Sequence, residues 1–325
     1  MIYGIYLILF FILELAYFRI ADRYNIIDKP NHRSSHTKLT IRGGGIIFPL
    51  AIILWFGISG FSYPYFALGL FLVSLVSFID DFKELKPGIR TFIQFASVSL
   101  MLMQLPLSLA WYWYLPILVL VIATINAYNF MDGINGITGG YSLIALLSLL
   151  YINHYVAEFT DYQLIVLVIL SVLVFNFFNF RRKAKCFAGD VGSVSVAFII
   201  IFFTLQLITK TGNFLYILLL LVYGLDAVTT VLFRLSRNEK ITEAHRSHFY
   251  QFLANSKRWP HLLVAALYSV MQLLVNCMVI SLSLSNSNNI WLTVSVTVLS
   301  GIAFILIRIT LEGKQILQKE VIKVK

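Results

Sequence analysis

Eleven blocks of about 16 to 23 residues, almost free of charge, run through this 325-residue sequence and limit the folds open to it. An α-helix needs about 20 apolar residues to cross a hydrocarbon layer roughly 30 Å thick. A membrane barrel would show short segments of alternating polarity, whereas these blocks are apolar without interruption. The predicted spans are 2–20, 44–60, 64–79, 91–107, 111–127, 138–155, 162–178, 193–209, 214–233, 261–283 and 290–310, with a break near Pro106. Hydrophobic residues make up 59% of the chain and charged residues 12%, against about a quarter charged in a soluble domain. Most of the surface must therefore meet lipid. The expected fold is all-α and polytopic, with about eleven transmembrane helices in one integral membrane domain over residues 1–325. The longest polar stretches, 21–43, 234–260 and the tail, leave no room for a soluble domain.

Positive charge predicts the orientation, because Lys and Arg collect on the cytoplasmic side of short loops. With the N-terminus outside and the C-terminus inside, 24 of the 25 Lys and Arg residues fall in cytoplasmic segments, and only Lys210 lies outside. The net charge of +10 thus belongs to one face, which meets anionic headgroups. Basic residues shared among short loops do not suggest nucleic acid. The first apolar run lacks a basic start and is followed by Arg19 and Arg23, so it is expected to be a retained helix rather than a cleaved signal. Tyr63, Tyr65 and Trp111 to Tyr114 sit at predicted outer turns, as interfacial aromatics do. Cys186 and Cys277 are too few and too far apart for a metal or disulfide framework.

The predicted cytoplasmic loops carry the chemistry. Asp80 and Asp81 end the third span, Asp132 follows the fifth, Asp190 follows the seventh, and His245 and His248 follow the ninth. All lie on one face under an orientation derived from Lys and Arg alone. Four carboxylates gathered there need a positive partner. Magnesium suits them, since it takes one or two carboxylates and completes its shell with phosphate oxygens and water; manganese is the alternative. Zinc fits less well, because His245 and His248 are i,i+3 with no cysteine or third histidine beside them. Gly133, Gly136, Gly139 and Gly140, with Gly189 and Gly192, precede or open helices whose N-termini favour anions. Arg42, Lys86, Arg90, Arg181, Arg182, Lys183, Lys185 and Arg246 supply positive charge. Acids for metal, glycine turns for phosphate and basic residues for charge balance are the parts of a phosphoryl-transfer site at the membrane surface.

Five ordered segments, PNHRSSHTKLTIRGGG, DDFKELKPGIR, NAYNFMDGINGITGG, KCFAGDVGS and HRSHFYQ, resemble the polyprenyl-phosphate N-acetylhexosamine-1-phosphate transferases of glycosyltransferase family 4. The first and last look most like the branch acting on UDP-N-acetylfucosamine or UDP-N-acetylquinovosamine, with UDP-GlcNAc used by related sequences. The resemblance implies transfer of a sugar phosphate from a UDP-N-acetylhexosamine to undecaprenyl phosphate, with release of UMP. It implies an inner-membrane enzyme, facing the cytoplasm, that starts O-antigen or another surface polysaccharide; a homodimer stays open. Asp80 and Asp81 match the paired aspartates beside the lipid phosphate, and Asp190 matches the magnesium aspartate, with Asp132 joining the metal environment. Asn129 and Asp132 match positions lining the nucleotide. His245 and His248 are expected near the diphosphate as catalytic groups, and Arg42, Arg90, Arg246 and Asn135 as substrate contacts. The chain departs from the family's DG-x-DG segment at Asn135, an amide in place of the second acid, and from HxHH in reading HRSH.

A transporter for an anionic sugar nucleotide would share the helices and the basic face. Transport sites lie near the midplane, where only Glu14 and Asp226 supply acids. Glu14 is expected to pair within the bundle, and Asp226 to form a structural ion pair or a buried hydrogen bond. The acid-rich signature of CDP-alcohol phosphotransferases is absent from this sequence.

Overall fold

The computed structural model describes residues 2–28, 39–107, 110–240, 245–285, 290–313 and 316. Helix occupies every predicted span: α1 (Ile2–Arg23), α2 (Ile47–Ile58), α3 (Pro64–Phe82), α4 (Pro87–Gln104), α5 (Tyr114–Met131) and α6 (Ile137–Tyr155). They are followed by α7 (Tyr162–Asn179), α8 (Gly189–Thr211), α9 (Leu221–Ser236), the short α10 (Phe249–Gln251), α11 (His261–Leu284) and α12 (Ile290–Glu312). Among the described residues, nine stretches are long and apolar enough to cross a membrane, fewer than the eleven predicted. The segment Gly44–Ile58 is short. Helix α4 carries Arg90, Gln94 and Gln104 and is less apolar.

Helix α8 forms the centre, buried along most of its length and packed against α2, α3, α5 and α6. Its Phe202 stacks on Phe66 of α3 with ring centroids 3.8 Å apart, and Ser195 meets Ser74 at 2.9 Å. At Gly69 of α3, an added Cβ would lie 2.7 Å from the Ser97 carbonyl oxygen. Helices α3 and α4 therefore touch backbone to backbone, a close approach that small residues allow between membrane helices.

The stretch before α9 breaks the regular pattern. Residues Phe214–Leu220 form a 3-10 helix, whose backbone pairing is poorer than that of an α-helix, and in lipid every such group needs a partner. Gln272 of α11 provides it, donating to the Leu218 carbonyl at 3.0 Å and accepting from the Val222 N–H at 2.9 Å. Tyr141 and Asn276 hold the same amide, each at 2.6 Å.

Side-chain contacts sort the loops onto two faces. On one, Arg42 meets Asp81 and Asp190, Asn135 meets the 181–182 backbone, and Tyr250 meets Phe130. On the other, Trp55 donates to Asp161 at 2.8 Å, and the Tyr65 N–H donates to Gln104 at 3.0 Å. The predicted gathering of acids on one face is thus present. The acids lie nearer the helices than predicted, because α8 begins at Gly189 rather than 193 and so carries Asp190 in its first turn.

Candidate active site

A small irregular structure sets the position of Arg42. Strands β1 (Ile27–Asp28) and β2 (Thr40–Ile41) pair antiparallel, and Ile41 also forms a parallel bridge with Cys186. The chain then zips along the entry to α8: Phe187 N–H donates to Ile41 O at 2.8 Å, Gly44 N–H to Phe187 O at 2.8 Å, and Gly45 N–H to Ala188 O at 3.1 Å. Gly43 (φ 79°) and Gly189 (φ 70°) take left-handed conformations that side chains resist. The Tyr17 hydroxyl donates to the Arg42 carbonyl at 2.6 Å, fixing that residue from α1. The rest of the first sequence segment, residues 30–38, lies outside the described residues.

The paired aspartates diverge, because successive residues on a helix point about 100° apart. Asp81 turns inward, its side chain fully buried, and accepts from the Asp190 N–H at 2.8 Å and the Val191 N–H at 3.1 Å. It thereby caps the N-terminus of α8, where donors are unpaired and the dipole favours an anion. Asp80 turns to α4, accepting from the Leu85 N–H at 2.7 Å and pairing with Arg90 at 2.9 Å. Arg42 joins the two parts, with Nε 2.7 Å from Asp81 Oδ1 and a terminal nitrogen 3.2 Å from Asp190 Oδ1. Its carboxylate partners raise its already high proton affinity against the cost of burial. Asp190 is also in electrostatic contact with Asp80 and Arg90.

The third loop adds Asn129, Asp132 and Asn135. The Ser193 hydroxyl of α8 donates to Asn129 Oδ1 at 2.6 Å, and Thr138 donates to Asp132 Oδ1 at 2.6 Å. Burial pushes the Asp132 carboxyl up to about 6 against the pull of the Thr138 bond, and negative charge at Asp190 adds to the rise. Asn135 turns away from this group: its amide donates to the carbonyls of Arg181 at 3.0 Å and Arg182 at 3.3 Å, tying two loops together. Gly136 N–H donates to Asn179 Oδ1 at 2.8 Å and completes the tie. Asn135→Asp would face a carboxylate with two carbonyl oxygens. The variant is expected to lose about 1–3 kcal/mol of stability without gaining a metal ligand, which thermal unfolding in detergent with and without divalent cation will show.

The histidine segment rests on the same loop. The Tyr250 hydroxyl donates to Phe130 O at 3.0 Å, and a Cβ on Gly133 would lie 2.1 Å from that hydroxyl, so a side chain at this turn beside Asp132 would displace Tyr250. The His245 and His248 rings stack 5.1 Å apart. Burial, with His248 and the Arg234 and Arg237 guanidiniums, lowers His245 to about 3 and keeps it neutral near pH 7. Arg246 lies between the two histidines in the chain, in electrostatic contact with Tyr250. Asp226 is fully buried and hydrogen-bonded, as expected, to His248, the Tyr268 hydroxyl and the backbone of α10, while Arg234 pairs with Glu239 at 3.1 Å. Glu14 is buried beside Cys186, with Sγ 3.7 Å from Oε1. Tyr17, Tyr250 and Arg308 are contributors that sequence reasoning did not single out. The one signal for Arg308 is a charge at the end of an apolar run.

Asp132 and Asp190 present hard oxygen ligands, and their mutual repulsion is what a bound divalent cation relieves. Among the described residues no three His, Cys, Asp or Glu side chains surround one point. The protein thus offers a partial shell of the kind that phosphate oxygens and water complete.

These features define a polytopic membrane protein with an acidic, arginine-bridged cluster at one face. The family model for glycosyl transferase family 4 matches residues 63–208. The undecaprenyl-phosphate alpha-N-acetylglucosaminyl 1-phosphate transferase of Yersinia pestis is 29% identical over 224 residues, 62% of this chain and 61% of that protein. The protein of the same name from Escherichia coli K12 is 28% identical over 208 residues, covering 58% and 57%. The probable undecaprenyl-phosphate N-acetylglucosaminyl 1-phosphate transferase of Bacillus subtilis 168 is 24% identical over 259 residues, covering 72% and 71%. The chain spans about six-tenths of the length of the Yersinia and Escherichia relatives. Over these stretches it is similar to glycosyl transferase family 4 and to the undecaprenyl-phosphate N-acetylglucosaminyl 1-phosphate transferases.

Proposed function

We propose that this protein transfers an N-acetylhexosamine 1-phosphate from a UDP-sugar to undecaprenyl phosphate, releasing UMP and starting a cell-surface polysaccharide. The observation that carries this is the Arg42 fork. It draws Asp81 and Asp190 into one cluster with the Asp80–Arg90 pair at the membrane surface. A lipid phosphate and a nucleoside diphosphate are both anions, and Arg42 and Arg90 give each a positive neighbour. In the transfer, an oxygen of the lipid phosphate forms a bond to the phosphorus that bears the sugar. The bond from that phosphorus to the bridging oxygen breaks, and its electron pair leaves with UMP. A phosphate monoester has a second pKa of about 6, so the attacking group is largely dianionic and needs no strong base. Asp80, engaged by Arg90 and the Leu85 N–H, positions the acceptor, while Asp81 fixes the entry to α8.

Asp190 and Asp132 would hold magnesium, or manganese in its place, which when bound neutralises charge on the diphosphate. Asn129, aligned by Ser193, faces the nucleotide, and Arg246 with His248 approaches the diphosphate. All but one of the 25 Lys and Arg residues fall on this face, which supports an inner-membrane location with the site toward the cytoplasm. A transport path has little to use in the two buried acids: Asp226 is saturated with hydrogen bonds, and Glu14 is sealed against Cys186.

Purified protein with undecaprenyl phosphate, magnesium and a panel of UDP-N-acetylhexosamines tests the proposal. Lipid-dependent UMP release from one donor, UDP-GlcNAc being the first to try, is expected. Net movement of donor across a vesicle with no UMP would replace it with transport.

A further inference from the structure

Arg308 lies on α12, outside the five segments and outside residues 63–208, yet it is 1% exposed. A guanidinium in a membrane bundle persists only where its donors are satisfied. Here Nε bonds Glu312 at 2.5 Å, one terminal nitrogen bonds the Thr229 and Thr230 hydroxyls at 3.0 and 2.9 Å, and the other bonds the Ser247 carbonyl at 2.9 Å. Phe233 and Phe249 flank it at 5.1 and 5.8 Å from the ring centroids. Two of its partners lead to the histidine segment. Ser247 precedes His248 directly, and the Thr230 hydroxyl lies 3.2 Å from Asp226 Oδ1.

Asp226 carries the same linkage inward. Its carboxylate accepts from the Phe249 N–H at 2.9 Å, the Tyr250 N–H at 3.2 Å and the Tyr268 hydroxyl at 2.6 Å, and lies 3.2 Å from His248 Nδ1. A carboxylate only accepts, so Nδ1 carries the hydrogen and the tautomer is set. His248 Nε2 remains, buried and without a hydrogen-bond partner among the described residues. The ring sits next to Phe130, two residues before Asp132, with Tyr250 fastened to the same turn.

We propose that Arg308 is a positioning residue for the transfer, acting through the Ser247 carbonyl and the Thr230–Asp226 pair to hold His248 with Nε2 presented to the substrate diphosphate beside Asp132. This rests on the transferase reading. The last apolar helix is then part of the catalytic apparatus as well as a membrane span, since it latches a segment of the site that no long helix carries.

Arg308→Lys keeps the charge but lacks the planar fork needed to reach Glu312, the threonines and Ser247 together. Thr230→Val breaks the link to Asp226 without altering charge. In the purified full-length protein, Arg308→Lys is expected to lower kcat for UMP release on the order of 10- to 100-fold, with KM for the UDP-sugar within about threefold. Thr230→Val is expected to act in the same direction and more weakly. The second measurement is diethylpyrocarbonate labelling of His248, read by mass spectrometry: protected in the parent and labelled in Arg308→Lys. Parent-like kcat in both variants, or lost activity that tracks lost folded protein while His248 stays protected, would overturn the proposal. A parent protein that releases no UMP from any donor would remove the transferase reading itself, and the positioning role with it.

Discussion

Asp190→Asn is expected to lower kcat for UMP release by about 100- to 1,000-fold while leaving the protein folded. The substitution keeps an oxygen for Arg42 and leaves the backbone N–H that donates to Asp81, so the N-terminus of α8 retains its cap. What it removes is one of the two carboxylate charges available to a divalent cation. The loss should therefore appear in turnover and in the metal concentration needed for half-maximal rate. Melting in detergent should match the parent. Activity within a few-fold of the parent, at the same magnesium requirement, would sink the assignment of Asp190 to the metal.

Gly45→Ala is expected to cost at least as much activity by a different route. A Cβ at position 45 would lie 2.2 Å from the Gly192 Cα and 3.0 Å from the Ala188 carbonyl oxygen. Both obstacles are backbone, so neither a rotamer change nor a flexible tip relieves the clash. The 41–45 segment must lift off α8 by more than 1 Å, roughly the shortfall from ordinary contact distance. That movement breaks the bonds from Gly44 N–H to Phe187 O and from Gly45 N–H to Ala188 O, and it carries Arg42 away from Asp190. Activity is expected to fall more than about 100-fold, with a lower melting midpoint. Gly57→Ala on α2 is the control, since a Cβ there meets nothing within 4 Å and should be neutral or slightly stabilising. Equal behaviour of the two variants would show that the close contact of the 41–45 segment with α8 is not required.

The helices were legible because lipid demands length and continuous apolarity, and both are written plainly in sequence. The gathering of Asp80, Asp81, Asp132, Asp190 and the histidines on one face was legible too, because alternating spans leave every second loop together. The details of contact were not. Strands of two residues, 27–28 and 40–41, have no periodicity to detect, yet they set Arg42 between Asp81 and Asp190. Helix α8 begins four residues before the predicted 193 because Asp81, more than 100 residues earlier in the chain, supplies the cap. Asn135 was recognised as a hydrogen-bonding amide in place of an acid, and its direction, toward the 181–182 carbonyls, depends on a loop that sequence cannot fold. Asp226 was recognised as buried and bonded, whereas its partner His248 lies 22 residues on, beyond any helical spacing.

The most direct test follows the phosphorus. A UDP-N-acetylhexosamine radiolabelled at its β-phosphate would be incubated with the purified protein, undecaprenyl phosphate and magnesium, and the lipid and nucleotide products separated. Sugar-phosphate transfer predicts that the label moves into the lipid together with the sugar and that unlabelled UMP is released in equal amount. Label retained in UDP while the lipid gains an unlabelled sugar, or no label in lipid from any donor with folded protein, would contradict it.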